Sequence, residues 1–154
     1  MNNIISRERG SLTMELAFIT PVMLILVIGS IFLGIMYINK SALLDASFVG
    51  AKSASYYGGD TQEVREDIYK TLETRYMSGP ENVQVTIKYI AADGSEYEQT
   101  QSSDILEVIS PAPAMPGASI SVTAISNSYR LKIPLIPKET FDLVGTSVSR
   151  NNNQ

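Results

Sequence analysis

Cysteine and histidine are both absent from the 154 residues. Without cysteine no disulfide can staple a domain, and the chain carries no redox signature of its compartment. Without histidine, a Ser-His-Asp relay, a Cys-His dyad and the usual imidazole zinc site are excluded within this chain. Carboxylate-only catalysis survives, but no carboxylate pair stands at a suggestive spacing, so no catalytic, cofactor-binding or metal residue is expected. Excess positive charge is missing too. Twelve Lys and Arg against sixteen Asp and Glu leave a formal charge of −4, which argues against a nucleic-acid partner and its need for a basic patch.

Charge of either sign disappears altogether between Leu16 and Ile38. At about 1.5 Å per residue this run is about 34 Å long as a helix, enough to cross a hydrocarbon core of about 30 Å with some tilt. The h-region of a secretory signal is only about 7–15 residues long, and Lys40-Ser41-Ala42-Leu43-Leu44 is a poor cleavage sequence. A chain this small also has too little mass to surround such a segment as a core helix. A single membrane span is therefore expected, with membrane lipid as its surroundings. Arg7, Arg9 and the amino terminus precede the run, whereas Lys40 and Lys52 follow it. This slight bias and the large polar remainder favour a cytoplasmic N-terminus and an outside C-terminal domain.

Several residues in and around the run are unusual. Glu15 is the last ionisable side chain before hydrocarbon and stands five residues after Gly10. Pro21 removes the hydrogen bond to the carbonyl of Ala17, an interruption that membrane helices tolerate. Ser30 and Gly34 form a small-xxx-small pair that lets another helix approach closely. Most residues from Ser41 to Ser55 are Gly, Ala or Ser, which suits either lateral packing against copies and relatives or a helix laid on its own domain. Asn39-Lys40-Ser41 matches a glycosylation sequon, but it abuts the membrane and reads as chance.

In the basic leader Arg7-Glu8-Arg9, Gly10, Glu15 as the fifth residue after that glycine, and Pro21 early in the apolar run, the chain resembles the type IV pilin superfamily. Within it, the chain resembles the TadE-like minor pilins (pseudopilins) of the tight-adherence system. The likeness extends more loosely to Tyr129-Arg130-Leu131-Lys132-Ile133-Pro134 and to Val144–Arg150. Ser11 in place of an aromatic residue or methionine, and the lack of a cysteine pair, depart from type IVa pilins and fit the Tad branch. The resemblance implies a prepilin peptidase cutting between Gly10 and Ser11. The new Ser11 amine has a reference pKa of about 7.7–8.0 and is largely cationic at neutral pH, so Glu15 can neutralise it in a neighbouring subunit. It also implies related minor pilins, the major pilin, an assembly ATPase and its membrane platform as partners.

Beyond the span, the first helix is expected to continue to Tyr56 or Tyr57 and stop at Gly58-Gly59. Asp60-Thr61-Gln62-Glu63 has the spacing of a capping box, and Val64, Ile68, Leu72 and Tyr76 give the second helix an apolar stripe. The charged residues on that helix, Arg65 among them, read as a solvated face. Alternation over Val83–Tyr89 predicts a strand, Asp93-Gly94 a hairpin turn, and Ser95–Thr100 its return. Ile105–Ile109 is short enough to be helix or strand, and 110–117 is a proline-rich loop. Strands are expected over Ala118–Ile125, Tyr129–Ile133 and through Val144 and Val148, with Pro134 and Pro137 as breaks and Asn151–Gln154 as a frayed tail. Five tyrosines (69, 76, 89, 97 and 129) are either core or an adhesive patch.

The expected fold class is α+β: a long N-terminal transmembrane helix extending into a small extracytoplasmic domain with a second helix and an antiparallel sheet. Residues 1–10 would be the leader, 11–57 the transmembrane and extended helix, and 58–154 the domain. The expected function is that of a minor pilin in the cytoplasmic membrane, without enzymatic activity, taking part in pilus assembly for adherence. The alternative is a permanently anchored single-span protein with a binding domain; a tethered hydrolase has nothing to recommend it.

Overall fold

The computed structural model describes residues 2–108, 112–130 and 140–152, with side chains described from Met14 onward except those of Ser128, Arg130 and Phe141. The chain divides into two compact units, Met1–Ile35 and Met36–Gln154. Helix α1 (Asn2–Tyr57) is followed by α2 (Gln62–Arg75), a 3-10 turn (Pro80–Asn82) and strands β1 (Val83–Ile90), β2 (Glu96–Ser102), β3 (Ser119–Arg130) and β4 (Thr140–Arg150). The architecture is the expected α+β one.

The first unit is helix, with Pro21 inside it. From Met14 its side chains are almost all exposed, Leu16, Phe18 and Leu26 among them. The helix is long and apolar enough to cross a membrane, and none of its most apolar window is buried within the protein. Thr20 and Ser30 donate their hydroxyls to Leu16 O and Leu26 O, one turn back, at 2.6 and 2.8 Å. Both hydroxyls are thereby satisfied within the helix itself, as membrane helices require.

In the second unit the remainder of α1 and α2 pack on one face of a four-stranded antiparallel sheet ordered β2-β1-β3-β4. Val83, Val85, Ile87 and Tyr89 of β1 face the helices, as do Ile120, Val122 and Ala124 of β3 and Leu143 of β4. The alternation that marks a half-buried strand is thus realised over β1 with the expected phase. Val64, Ile68, Leu72 and Tyr76 form the buried stripe of α2.

The small residues after Ser41 serve this packing. Ala42, Ala46, Ser47, Gly50, Ala51 and Ala54 are buried within the chain itself. A Cβ on Gly145 of β4 would stand 2.5 Å from the Leu43 carbonyl carbon, so helix and strand backbones touch there. One on Gly50 would stand 2.6 Å from Ile68 Cδ1. Ser47 donates to Gly145 O at 2.7 Å, and Ser55 donates to Arg150 O, tying α1 to carbonyls of the edge strand β4. Of the two sequence readings of this smooth stretch, the helix laid on its own domain is the one realised by these residues.

Several local expectations are corrected. Asp60 does not cap α2; Thr61 does, accepting from the Val64 amide, while Asp60 turns inward. Arg65 leaves the solvated face and is buried against Asp60. β3 runs unbroken to Arg130 because its one extra residue, Asn127 and Ser128 standing against Asp142 alone, is absorbed as an irregularity between the Ser126 and Tyr129 pairings. Ile105–Val108 is neither helix nor strand. Asn151 is not frayed: it is buried, its amide donates to Ala118 O, and its side chain donates to Ala114 O and Met115 O. The expected strand residues 131–133, the breaks at Pro134 and Pro137, Ile109 and the last two residues lie outside the described residues.

Candidate functional site

Helical backbone runs through Gly10, Ser11 and Glu15. At 3.6 residues per turn, the Ser11 and Glu15 positions stand four apart and share one face of α1. Glu15 is exposed, next to Met14, Leu16 and Phe18, which are also exposed. Farther along, Ser30 is exposed with its hydroxyl turned back onto Leu26 O. Gly34 is also exposed, and a Cβ there would meet open space. Both positions are therefore small and exposed on α1.

Asn39, one residue past the apolar run, is fully buried. Its Nδ2 donates to Tyr129 OH at 2.9 Å and Ser78 Oγ at 3.2 Å, and its Oδ1 accepts from the Met77 amide at 3.1 Å. One amide thus ties α1 to the segment after α2 and to β3. Glycosylation of this sequon is physically barred in the folded domain, because every polar atom of the side chain is engaged and out of solvent.

Where α1 hands over to α2, Gly58 and Gly59 take positive φ angles of 79° and 140° and both donate to Ala54 O at 2.9 Å. The reversal aims Asp60 into the protein. Arg65 binds it in a two-pronged pair, Nε to Oδ1 at 2.9 Å and Nη2 to Oδ2 at 2.6 Å. Tyr97 donates to Asp60 Oδ2 at 2.8 Å and stacks on Tyr89, whose own hydroxyl donates to Ala112 O at 2.5 Å. Burial, then the bond to Asp60 and its negative charge, push the Tyr97 phenol well above its ordinary range. Burial also raises Tyr89, opposed by a bond from the Asp60 backbone. Tyr76, which donates to Ser126 Oγ at 2.6 Å, is raised chiefly by burial.

This cluster looks like the perturbed acid–base set of an active site, yet it lacks access: the Asp60 side chain is 0% exposed and that of Arg65 only 3%. The charges are spent on each other, and the arrangement fixes the turn between the helices against β1 and β2. Among the described residues no three acids converge as a metal site would need. Tyr76 and Tyr89 are buried in the core and Tyr97 and Tyr129 pack half-buried against it, so these four are packing elements and not an adhesive patch; Tyr69 is half-buried on α2.

Sequence reasoning placed Ser11, Glu15, Pro21, Ser30 and Gly34 on the long helix and Gly10 in the leader before it; all six stand on α1, which begins at Asn2. It missed Asn39 and the Asp60–Arg65 pair. The available signals were an asparagine closing an apolar run and an acid directly after two glycines, which sends the chain inward before the helix begins.

In comparison with known proteins, the family model described as TadE-like protein matches residues 10–52. Its first residue is Gly10, and it covers Glu15, Pro21, Ser30, Gly34 and Asn39 on α1. No curated protein and no solved structure matches the chain.

Proposed function

From the premise that this chain is a TadE-like protein of the Tad pilus system, we propose that it is a minor pilin, stored in the membrane by α1 and released into fibre assembly by prepilin cleavage. The observation that carries this reading is the coincidence of the matched segment, which opens on Gly10, with Glu15 five residues later at the mouth of an uncharged, exposed helix. Its role is structural, as befits that family, and its single apolar helix fits a single-pass membrane protein.

Cleavage between Gly10 and Ser11 would make Ser11 the first residue of a helix. Its ammonium would then coincide with the positive end of the helix dipole. The Glu15 carboxylate, one turn away, has two uses for that charge: it can screen its own terminus, or it can take the terminus of a neighbouring subunit. A glycine before the cut lets peptidase groups approach the backbone without a Cβ in the way. An unpaired carboxylate costs about 2.5–3.5 kcal/mol at mid-membrane and less near the interface, so pairing biases register and assembly without locking them. A prepilin peptidase, sibling minor pilins, the major pilin, the assembly ATPase and its platform are the partners of this proposal. The cytoplasmic membrane with an inward N-terminus is its location.

The test is incorporation. Glu15→Ala is expected to be processed normally and to accumulate in membranes, while its recovery in sheared pili falls several-fold. Recovery equal to wild type would remove Glu15 from the mechanism.

A further inference from the structure

We propose that the groove between α1 and α2 binds the headgroup of an anionic phospholipid. The proposal rests on the reading of Leu16–Ile38 as a membrane span. Ile38 is the last residue of that run, and Asp45 lies about 10 Å farther along the helix axis at about 1.5 Å per residue. The headgroup layer occupies about 5–7 Å on each side of the hydrocarbon. Residues between Ile38 and Asp45 thus stand at the level of lipid phosphates and just above it.

The groove opens at that level. One hollow of about 380 Å³ is lined by Tyr37 and Ile38, and another of about 440 Å³ by Phe48 and Lys70; Asp45 and Arg75 belong to both. Arg75, the last residue of α2, pairs with Asp45 across it. The side chains of this pair are 60% and 44% exposed, and an ion pair so wet is weakly held. Its guanidinium is therefore free to turn to a phosphate oxygen, Lys70 supplies a second cation, and Asp45 is left to accept from a headgroup hydroxyl.

The apolar flank fits the same occupant. Tyr37 is 75% and Phe48 62% exposed, although the opposite side of α1 is packed on the sheet. Tyrosine at the end of a span is suited to the interface, with its ring on acyl carbon and its hydroxyl in water. Cations beside aromatics at this depth match a lipid better than a soluble acidic segment, which has no apolar part for Tyr37 and Ile38 to cover.

The full chain in non-ionic detergent, titrated separately with phosphatidylglycerol, phosphatidylcholine and soluble glycerol phosphate, tests this by native mass spectrometry. Phosphatidylglycerol adducts should exceed phosphatidylcholine adducts. Lys70→Gln and Arg75→Gln should each lower phosphatidylglycerol occupancy about fivefold, the worth of one cation near a charged lipid surface. Lys88→Gln, on the sheet, should leave it unchanged, and circular dichroism should show each variant folded. Equal adducts on wild type and both groove variants would overturn the proposal. So would glycerol phosphate binding as well as the lipid, or a lipid-free dimer that depends on Lys70 and Arg75. Failure of the span reading shows separately, as release of the protein from membranes by alkaline carbonate.

Discussion

Asn39 holds α1 to two other parts of the domain through three hydrogen bonds. Asn39→Ala leaves the Met77 amide and the Tyr129 hydroxyl without that partner. Losing these side-chain hydrogen bonds from a buried position should cost about 1–3 kcal/mol, read as a lower urea midpoint with unchanged slope. Asp60→Asn is the harsher change. It leaves the buried Arg65 guanidinium uncompensated, for which about 3–5 kcal/mol is expected. Replacing Arg65 as well, by methionine, should restore part of that loss, a non-additivity that a double-mutant cycle measures. The phenols of Tyr76, Tyr89 and Tyr97 are raised above the ordinary value of 10.0, chiefly by burial. A raised acid keeps its proton in the folded chain after the unfolded chain has lost it. Its contribution to stability is therefore whole below pH 10 and falls as pH rises beyond that value. Tyrosinate absorbance should show these three titrating late and together with unfolding.

At the scale of the element, glycines at the contacts of α1 differ in what surrounds them. Gly145 of β4 meets helix backbone, which cannot swing aside, whereas Gly50 meets the end of the Ile68 side chain, which can. Gly145→Ala should therefore cost more than Gly50→Ala, the first at or above the usual overpacking range of about 1–3 kcal/mol. Gly34→Ala meets none of the described residues, so its unfolding curve should match wild type; a loss confined to pilus incorporation would mark Gly34 as a surface for another helix. Much at this scale was legible beforehand. The four-residue spacing of Val64, Ile68, Leu72 and Tyr76 fixes which side of α2 is buried. Gly58-Gly59 and Asp93-Gly94 stop and turn the chain because positive φ favours glycine, with Gly94 at 85°. What escaped was tertiary. Whether small residues after Ser41 face a partner or the chain's own sheet depends on where Gly145 falls in β4, a hundred residues away. The placement of Arg65 likewise depends on where Asp60 points. Asn151 looked like tail because its ties, to Ala114, Met115 and Ala118, lie in a proline-rich stretch with no periodicity.

At the scale of the whole molecule, α1 contributes to both compact units: its early part is an exposed apolar rod, and its later part is the packed half of a two-layer domain. The matched segment, residues 10–52, stays within that one helix. The family signal thus follows the exposed apolar part of α1 and its first packed turns, while the sheet and α2 lie beyond it. The candidate site was readable because it is linear: a glycine, an acid five residues on and an uncharged run need no tertiary fold to be recognised. The central claim is that this linear signal is used, by a cut that frees a cationic terminus one turn from Glu15. The intact mass of the chain recovered from membranes, with and without an active prepilin peptidase, tests it most directly. The account predicts a protein beginning at Ser11 when the peptidase is active and at Met1 when it is not. A chain that keeps Met1–Gly10 in both strains while pili assemble normally would contradict it.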